Sequence, residues 1–460
     1  MRFTHGAVTW LFLRILGLVY FAAFASLAGQ IVPLVGPHGI VPGPAWATAT
    51  VLRTLTIGGA GISLFLVAGL APIPVLLTLW LDYLVLSSVG AEFLSYQWDA
   101  LLLEAGLIAV FLAPPVWRER VDRLAEPPRL ARALVLWLLF RLMVGSGAVK
   151  LASGDPTWRD LTALSFHYHT QPLPTPLAWY ASRLPLWFQK MSTLAVLAVE
   201  ILAPFSMFGP RRVRVAGFVA LAGLQVLIAL TGNYAFFNLL SIALCLFLLD
   251  DEMLLSVARG FRPASAGLKA SDTRSGIQRY ATIPFAILTV PVSLAMFLAS
   301  LGLDFAPAPI ALIAELIAPL RSVNSYGLFA VMTTTRDEIV VEGSNDGMTW
   351  LPYEFRYKPG DVTRRPPWVA PHQPRLDWQM WFASLTSFEN VPWFHNFCVR
   401  VLQGSPDALA LLAHNPFPER PPRYLRAELY RYRFGDRTWW TRERISDYSP
   451  VLTLGPGSRN

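Results

Sequence analysis

Five ionisable residues lie inside long apolar runs of the chain: Arg14, Asp82, Glu104, Arg141 and Glu200. A charge at the centre of a bilayer costs about 3 kcal/mol on insertion scales unless it faces a bundle interior and meets a partner. Such residues are candidates for chemistry by default. The plainer reading is a set of ion pairs that pin helix packing, and the sharper one is a proton path or substrate site. Asp82, Arg141 and Glu200 fall near the middle of their runs.

A second group begins where an apolar run ends. Lys150 leads into Gly154-Asp155-Pro156-Thr157-Trp158-Arg159-Asp160, and then into Phe166-His167-Tyr168-His169. A lysine in that position ordinarily snorkels to the interface. Partly desolvated, it would have a lowered pKa and could act as a base, with His167, Asp160 and Arg159 as substrate-positioning groups. The spacing of His167 and His169 would put both rings on one face of an extended segment. No third and fourth ligand, no HExxH and no CxxC accompany them, so no metal is expected. There is also no GxSxG, phosphate-cradling loop, strand-following GxGxxG or acidic calcium loop. The sequence thus implies no cofactor, and hydrolase chemistry is not expected.

A third group lies near the C-terminus. Arg364, Arg365 and the basic stretch from Arg420 to Arg433 alternate with Pro and Tyr. Lipid headgroup contact explains them plainly, and contact with a client protein is the bolder reading. Tyr326, Trp350, Trp378, Trp381 and Phe417 are aromatic candidates for the same client surface, each with a place in the core as its alternative.

The elements that must position these groups are helices in lipid. Of 460 residues, 54% are apolar and 15% charged, against about 25% charged in an ordinary soluble domain. That excludes a disordered tail protein, a collagen-like fibre and a secreted disulfide scaffold as the class of the whole chain. The formal charge of +8 could suggest nucleic acid, but the basic residues sit in short loops and act as topology signals. Cys245 and Cys398 cannot be assigned to a disulfide.

Apolar runs recur around residues 7–29, 54–70, 74–90, 98–114, 132–150, 189–208, 214–231, 234–249 and 281–302, which predicts nine spans. The uncharged stretch from Val215 to Leu249 is too long for one helix at about 1.5 Å per residue, so Gly232-Asn233 must turn the chain. Pro72 and Pro74 break another long run. The first run is read as a retained helix rather than a signal peptide.

Placing Arg2, the Arg118–Arg132 loop, Arg211–Arg214 and Arg259–Arg279 on the cytosolic side satisfies the positive-inside rule. An odd number of crossings then leaves the remainder outside. The predicted organisation is a polytopic helical domain over 1–305, an interfacial or re-entrant linker helix over 306–320, an outer-face β-rich domain over 321–450 and a disordered tail over 451–460. Within the outer domain, Leu328–Met332, Glu338–Gly343 and Thr349–Tyr357 read as strands, with a Ser344-Asn345-Asp346-Gly347 turn between the last two. Leu376–Phe388 and Asp407–Ala413 read as helical. The fold class is a membrane α-helical bundle followed by a small, sandwich-like α+β domain.

Several long motifs carry a resemblance. They are GDPTWRDLTALSFHYHTQPLPTPLAWY from Gly154, Glu200 with Pro204-Phe205, TGNYAFFN from Thr231 and the pair Asp250-Asp251. The outer region adds Asn324-Ser325-Tyr326-Gly327, YEFRYKPGD from Tyr353, RRPPW from Arg364, QPRLDWQMWFA from Gln373 and LLAHNPF from Leu411. On these the sequence resembles the lipase maturation factor family over about residues 130 to 435. The resemblance implies a polytopic endoplasmic-reticulum protein that helps secreted lipases fold and assemble, with its C-terminal domain on the lumenal side. The family pattern has an acidic residue where this chain has His169, and cysteine is scarcer than in lumenal members. The first departure removes a shared acid role at that position, and the second allows a bacterial plasma-membrane setting in which the client is unknown.

A shorter likeness points to another class. Gly147-Ala148-Val149-Lys150-Leu151 with Trp158 is similar to the lysine segment of vitamin K-dependent carboxylase and its bacterial relatives, which implies Lys150 as a base. The Ser344–Gly347 turn with Trp350 is similar to discoidin-like sandwiches, although any hairpin would look alike. The leading expectation is a non-catalytic, membrane-anchored maturation factor whose partners are lipid and secreted clients such as lipases, and no nucleic acid. The alternative is a membrane enzyme using Lys150.

Overall fold

The computed structural model describes residues 4–254, 276–303 and 305–455. Every apolar run falls on a helix: α1 (Gly6–Ala28), α2 (Ala49–Ala68), α3 (Pro72–Val89), α4 (Gln97–Leu112) and α5 (Arg129–Ala152), then, after a short α6 (Ala163–Thr170), α7 (Leu186–Leu202), α8 (Arg211–Thr231), α9 (Phe237–Cys245) and α10 (Gly276–Ser300). Among the described residues seven are long and apolar enough to cross a membrane: α1, α2, α3, α5, α7 extended to Phe208, α8 and α10 from Tyr280. The protein is a multi-pass membrane protein.

The count of nine spans is not confirmed, and packing explains why. The 16-residue α4 buries Trp98, Leu101, Leu102, Leu103, Ala105 and Ile108, and α9 buries nearly every side chain from Phe237 to Cys245. These two helices form the centre of the bundle, where neighbouring side chains replace lipid and length need not match bilayer thickness. Peripheral α8 buries only Gly217, Leu221, Leu224 and Gln225 and turns the rest of its apolar surface outward. The expected breaks stand where chain length and proline demand them, at Gly232-Asn233 between α8 and α9 and at Pro72 opening α3. The cytosolic assignments of Arg2, Arg259, Arg262, Lys269 and Arg274 lie outside the described residues, as does the side chain of Arg279.

Helix α11 (Ala308–Ile317), continued by a tight turn over Ala318–Leu320, buries no residue and packs along the end of α10. The chain then turns inward. Residues 321–327 enter the bundle before emerging into the C-terminal domain.

That domain holds a four-stranded antiparallel sheet in the order β2-β1-β5-β6 and a two-stranded sheet of β3 and β4. The strands are β1 (Arg336–Ser344), β2 (Leu351–Pro352), β3 (Glu354–Phe355), β4 (Leu412–His414), β5 (Tyr424–Phe434) and β6 (Trp440–Asp447). Ile339 faces Leu429 and Val341 faces Ala427 in the β1–β5 ladder, and helices α12 (Arg375–Ala383) and α13 (Pro392–Leu402) add Leu376, Phe394, Phe397 and Val401 to the core.

Several local expectations are corrected. Leu328–Met332 is a turn, with Phe329 at φ 55°, and its Phe329 and Met332 are held by packing in the Trp158 cluster rather than by a ladder. The strand expected over Thr349–Tyr357 is divided between the two sheets as β2 and β3. The helix expected over Asp407–Ala413 ends at Leu409, where the chain enters β4. In the tail expected to be disordered, Leu452 donates to the Leu425 carbonyl at 2.7 Å; residues 456–460 lie outside the described residues.

Candidate functional site

The polar side chains of the sequence motifs converge on the seam between bundle and C-terminal domain. At one end of the seam, Arg375 at the start of α12 enters the bundle and meets Asp99 at the start of α4 through two contacts of 2.8 Å. Its guanidinium also donates to the Phe93 carbonyl at 2.6 Å, and Tyr83 of α3 donates to the same carboxylate. Both members are almost fully excluded from solvent, with side chains 1% and 2% exposed. The chain leading into α12 is clamped too: Gln30 accepts from the Arg375 amide at 2.9 Å and donates to the Gln373 carbonyl at 2.8 Å, while Ser26 of α1 accepts from the Gln373 amide.

Deeper in the bundle, Glu104 of α4 pairs with Arg141 of α5. The segment 321–327 completes this pair. Tyr326 donates to Glu104 at 2.7 Å, the Asn324 amide donates to the same carboxylate at 3.1 Å, and Arg141 donates to the Asn324 carbonyl at 2.8 Å. A charge pair that would be costly alone in an apolar core thereby gains backbone and side-chain partners, although Arg141 Nε has no hydrogen-bond partner among the described residues. Gly327 fits because an added Cβ would lie 2.7 Å from the Val149 side chain.

The Asn233 side chain joins three chain segments. Its Nδ2 donates to the carbonyls of Leu173 and Pro367 at 3.1 and 3.0 Å, and its Oδ1 accepts from the amides of Val369 and Ala370 at 2.7 and 3.0 Å. All four hydrogen-bond positions of the amide are used. Nearby, Trp381 donates to the Thr170 carbonyl at 2.8 Å, Trp158 to the Phe329 carbonyl at 3.0 Å, and Asp155 accepts from the Met332 amide at 2.7 Å. Arg336 of β1, fully buried, reaches the carbonyls of His169, Gln171 and Pro172 and pairs with Glu338 at 2.7 Å, which also holds Lys358 at 2.9 Å.

The expected outer constellation is not assembled. Lys150 is buried, and its ammonium contacts both carboxylate oxygens of Glu200 at 2.9 and 2.7 Å and the Ser146 carbonyl at 3.0 Å. Its three N–H donors are thus all occupied, with the Trp158 ring 5.2 Å away. Arg159 and Asp160 stand exposed at the surface. His167 faces Phe329 edge-on and lies 3.2 Å from the Tyr234 hydroxyl, which donates to Gln171. Burial, reinforced by Lys150 and then His169, depresses the His167 pKa to about 3; burial, then Arg336 and Arg433, lowers that of His169 to about 4. Both rings are therefore neutral at physiological pH.

The sign of the pH dependence follows. The unfolded chain protonates these rings near pH ~6.5, whereas the folded chain resists protonation until far lower, so stability is lost as pH falls through that interval. Melting midpoints should decline between about pH 6.5 and pH 4, and a His167→Gln/His169→Gln variant should decline less steeply. Parallel profiles for the two proteins would remove the histidines from the account.

Of the other singled-out residues, Arg14 pairs with Glu119 and donates to the Leu66 carbonyl at 3.0 Å, whereas Oδ1 of half-buried Asp82 has no hydrogen-bond partner among the described residues. Arg14, Glu104 with Arg141, and Glu200 therefore sit in separate pairs rather than one cluster, and Asp82 belongs to none of these pairs. Tyr326, Trp378 and Trp381 are buried in the seam, which places them in the core rather than on a client surface. Trp350 lies beneath Arg426 at 4.3 Å, half-buried Phe417 packs on Tyr353, and Arg364 donates to the Phe355 and Lys358 carbonyls. Arg365 alone of that set is exposed, near Trp439. Cys245 and Cys398 are free and buried. Among the described residues no three His, Cys, Asp or Glu side chains gather as a metal site.

The comparisons with known proteins agree with the motif content. Residues 43–256 match the lipase maturation factor transmembrane domain, and residues 322–450 match the lipase maturation factor C-terminal domain. The chain is 37% identical to lipase maturation factor 2 of Mus musculus, covering 97% of this chain and 83% of that protein. It is 35% identical to lipase maturation factor 2 of Homo sapiens, over 97% and 82% of the two chains. Against lipase maturation factor 1 of Mus musculus it is 34% identical, over 98% and 88%. No solved structure matches it. With both domains matched in order and this chain aligned almost end to end with relatives over more than four-fifths of their length, the chain belongs to the lipase maturation factor family.

Proposed function

We propose that this protein is a membrane-anchored, chaperone-like maturation factor for secreted proteins, lipases among them, and that it works without a catalytic step of its own. The helical bundle anchors and orients the C-terminal domain, which faces the non-cytosolic side while the N-terminus faces the cytosol. The compartment is the endoplasmic reticulum, or the plasma membrane if the source is bacterial. The observation that supports the reading is the use made of the motif residues: Asp155, Trp158, Asn233, Asn324, Tyr326, Arg375 and Trp381 all fasten the domain to the bundle. A rigid seam suits a holder that must present one surface at a fixed height and angle. That surface carries exposed apolar side chains such as Trp368, Leu385 and Met348, the last 85% accessible.

The test is co-expression of the full chain with a secreted lipase in cells lacking their own factor, scored by active lipase released per molecule synthesised. A rise in that ratio is expected, and an unchanged ratio for several lipases would overturn the client assignment. Orientation is tested separately by Met348→Cys, because both native cysteines are buried and give little background. A membrane-impermeant thiol reagent should label it only from the non-cytosolic side of sealed vesicles; labelling from the cytosolic side would reverse the topology.

A further inference from the structure

Where segment 321–327 enters the bundle, it leaves a cavity of about 260 Å³ between α4, α10 and its own first residues. Arg321, Asn324, Ser325 and Gln97 supply the polar lining, and Leu103 and Met296 the apolar one. Arg321 is the unusual member. It adopts φ 47°, a left-handed conformation that a non-glycine residue keeps only when its surroundings impose it. Its Nη1 donates to the Ser87 carbonyl, yet among the described residues no carboxylate forms an ion pair with it. Asp99 also borders the cavity, but both its oxygens are engaged by Arg375. The Gln97 side chain accepts from the Gly327 amide through Oε1, which leaves its NH2 as a donor, and Ser325 is exposed.

The setting of this cation is apolar. Directly before it, Leu312, Leu316 and Leu320 on α11 and the turn that follows are all exposed, with Leu316 74% accessible. A guanidinium without an anionic partner beside a lipid-facing helix has unmet electrostatic demand, and its planar fork matches two oxygens of one phosphate. Basic pockets between membrane helices recognise lipid headgroups on these terms.

We propose that this cavity seats a membrane phospholipid. The phosphodiester is held by Arg321 with hydrogen bonds from Gln97 and Ser325, while the Asn324 amide stays on Glu104 and the Arg321 carbonyl, and the acyl chains lie along α10 and α11. An anionic headgroup is preferred because Arg375 neutralises Asp99 and leaves the Arg321 charge uncompensated in the site. The bound lipid would fill the remaining space beside the segment that completes the Glu104–Arg141 pair, so it acts as part of the seam.

The experiment is native mass spectrometry of the full chain released from detergent after titration with phosphatidylglycerol, with diacylglycerol and inorganic phosphate in parallel arms. One tightly held phosphatidylglycerol is expected, with no diacylglycerol retained and no displacement by inorganic phosphate. Arg321→Gln should weaken retention about tenfold or more, since it removes a charge-assisted contact. Met296→Trp, which fills the cavity without changing charge, should weaken it comparably and guards against a folding defect in the arginine variant. Arg53→Gln, at an exposed arginine near the start of α2, should leave it unchanged. Equal retention by wild type, Arg321→Gln and Met296→Trp would overturn the proposal. Binding of inorganic phosphate that displaces the lipid would also overturn it, by making the cavity a soluble-anion site.

Discussion

Arg375→Ala is expected to destabilise the protein by about 3–5 kcal/mol, because it strands the Asp99 carboxylate in a buried setting. The pair is nearly inaccessible to water, so solvent cannot replace the lost partner. The same truncation removes the donor to the Phe93 carbonyl and frees the hydroxyl of Tyr83 from a shared network. A large fall in the thermal midpoint of the detergent-solubilised chain should follow, together with protease sensitivity in the C-terminal domain. Asp99→Leu/Arg375→Met should recover much of the loss, since removing both charges also removes the cost of desolvating them. An Arg375→Ala midpoint indistinguishable from wild type would mean that the seam is held elsewhere.

The second large effect is expected at Lys150. Lys150→Ala leaves Glu200 buried and unpaired and should cost about 3–5 kcal/mol for the same reason. This variant alone cannot separate a structural role from a chemical one. The double variant Lys150→Met/Glu200→Met can, because it keeps volume and removes both charges. It should melt near wild type and still support release of active lipase. A folded double variant that had lost that function would restore Lys150 as a chemical group, and the enzyme alternative with it.

Much of the architecture was legible because it follows from length and composition. The turn at Gly232-Asn233 had to exist, since no single helix could contain the uncharged stretch on both sides of it, and the motifs around Gly154, Thr231 and Gln373 identified the family. The true interior of the bundle was less visible. Hydropathy registers α4 and α9 as spans like any other, and only packing reveals that they are enclosed by the rest. The pairing of Asp99 with Arg375 was hidden for a different reason: Asp99 stands at the very edge of an apolar run and Arg375 at a helix start in a polar stretch, where a charge looks solvated, and their contact joins positions 276 residues apart. Arg336 and Glu338 were concealed by their alternation on β1, a spacing that ordinarily marks the wet face of a strand. Here that face is covered by the carbonyls of residues 169, 171 and 172. Leu328–Met332 has the apolar look of a strand, but Phe329 and Met332 answer to the Trp158 cluster and not to a sheet neighbour.

The placement of Asn324 and Tyr326 against Glu104 and Arg141 bears on how the protein is made. Ribosomes deliver the first helices long before residue 324, so during synthesis the early spans wait with an incompletely solvated ion pair until a late stretch of chain arrives to finish them. Biogenesis is then ordered from the far end: the last third of the polypeptide acts as the keystone for the first.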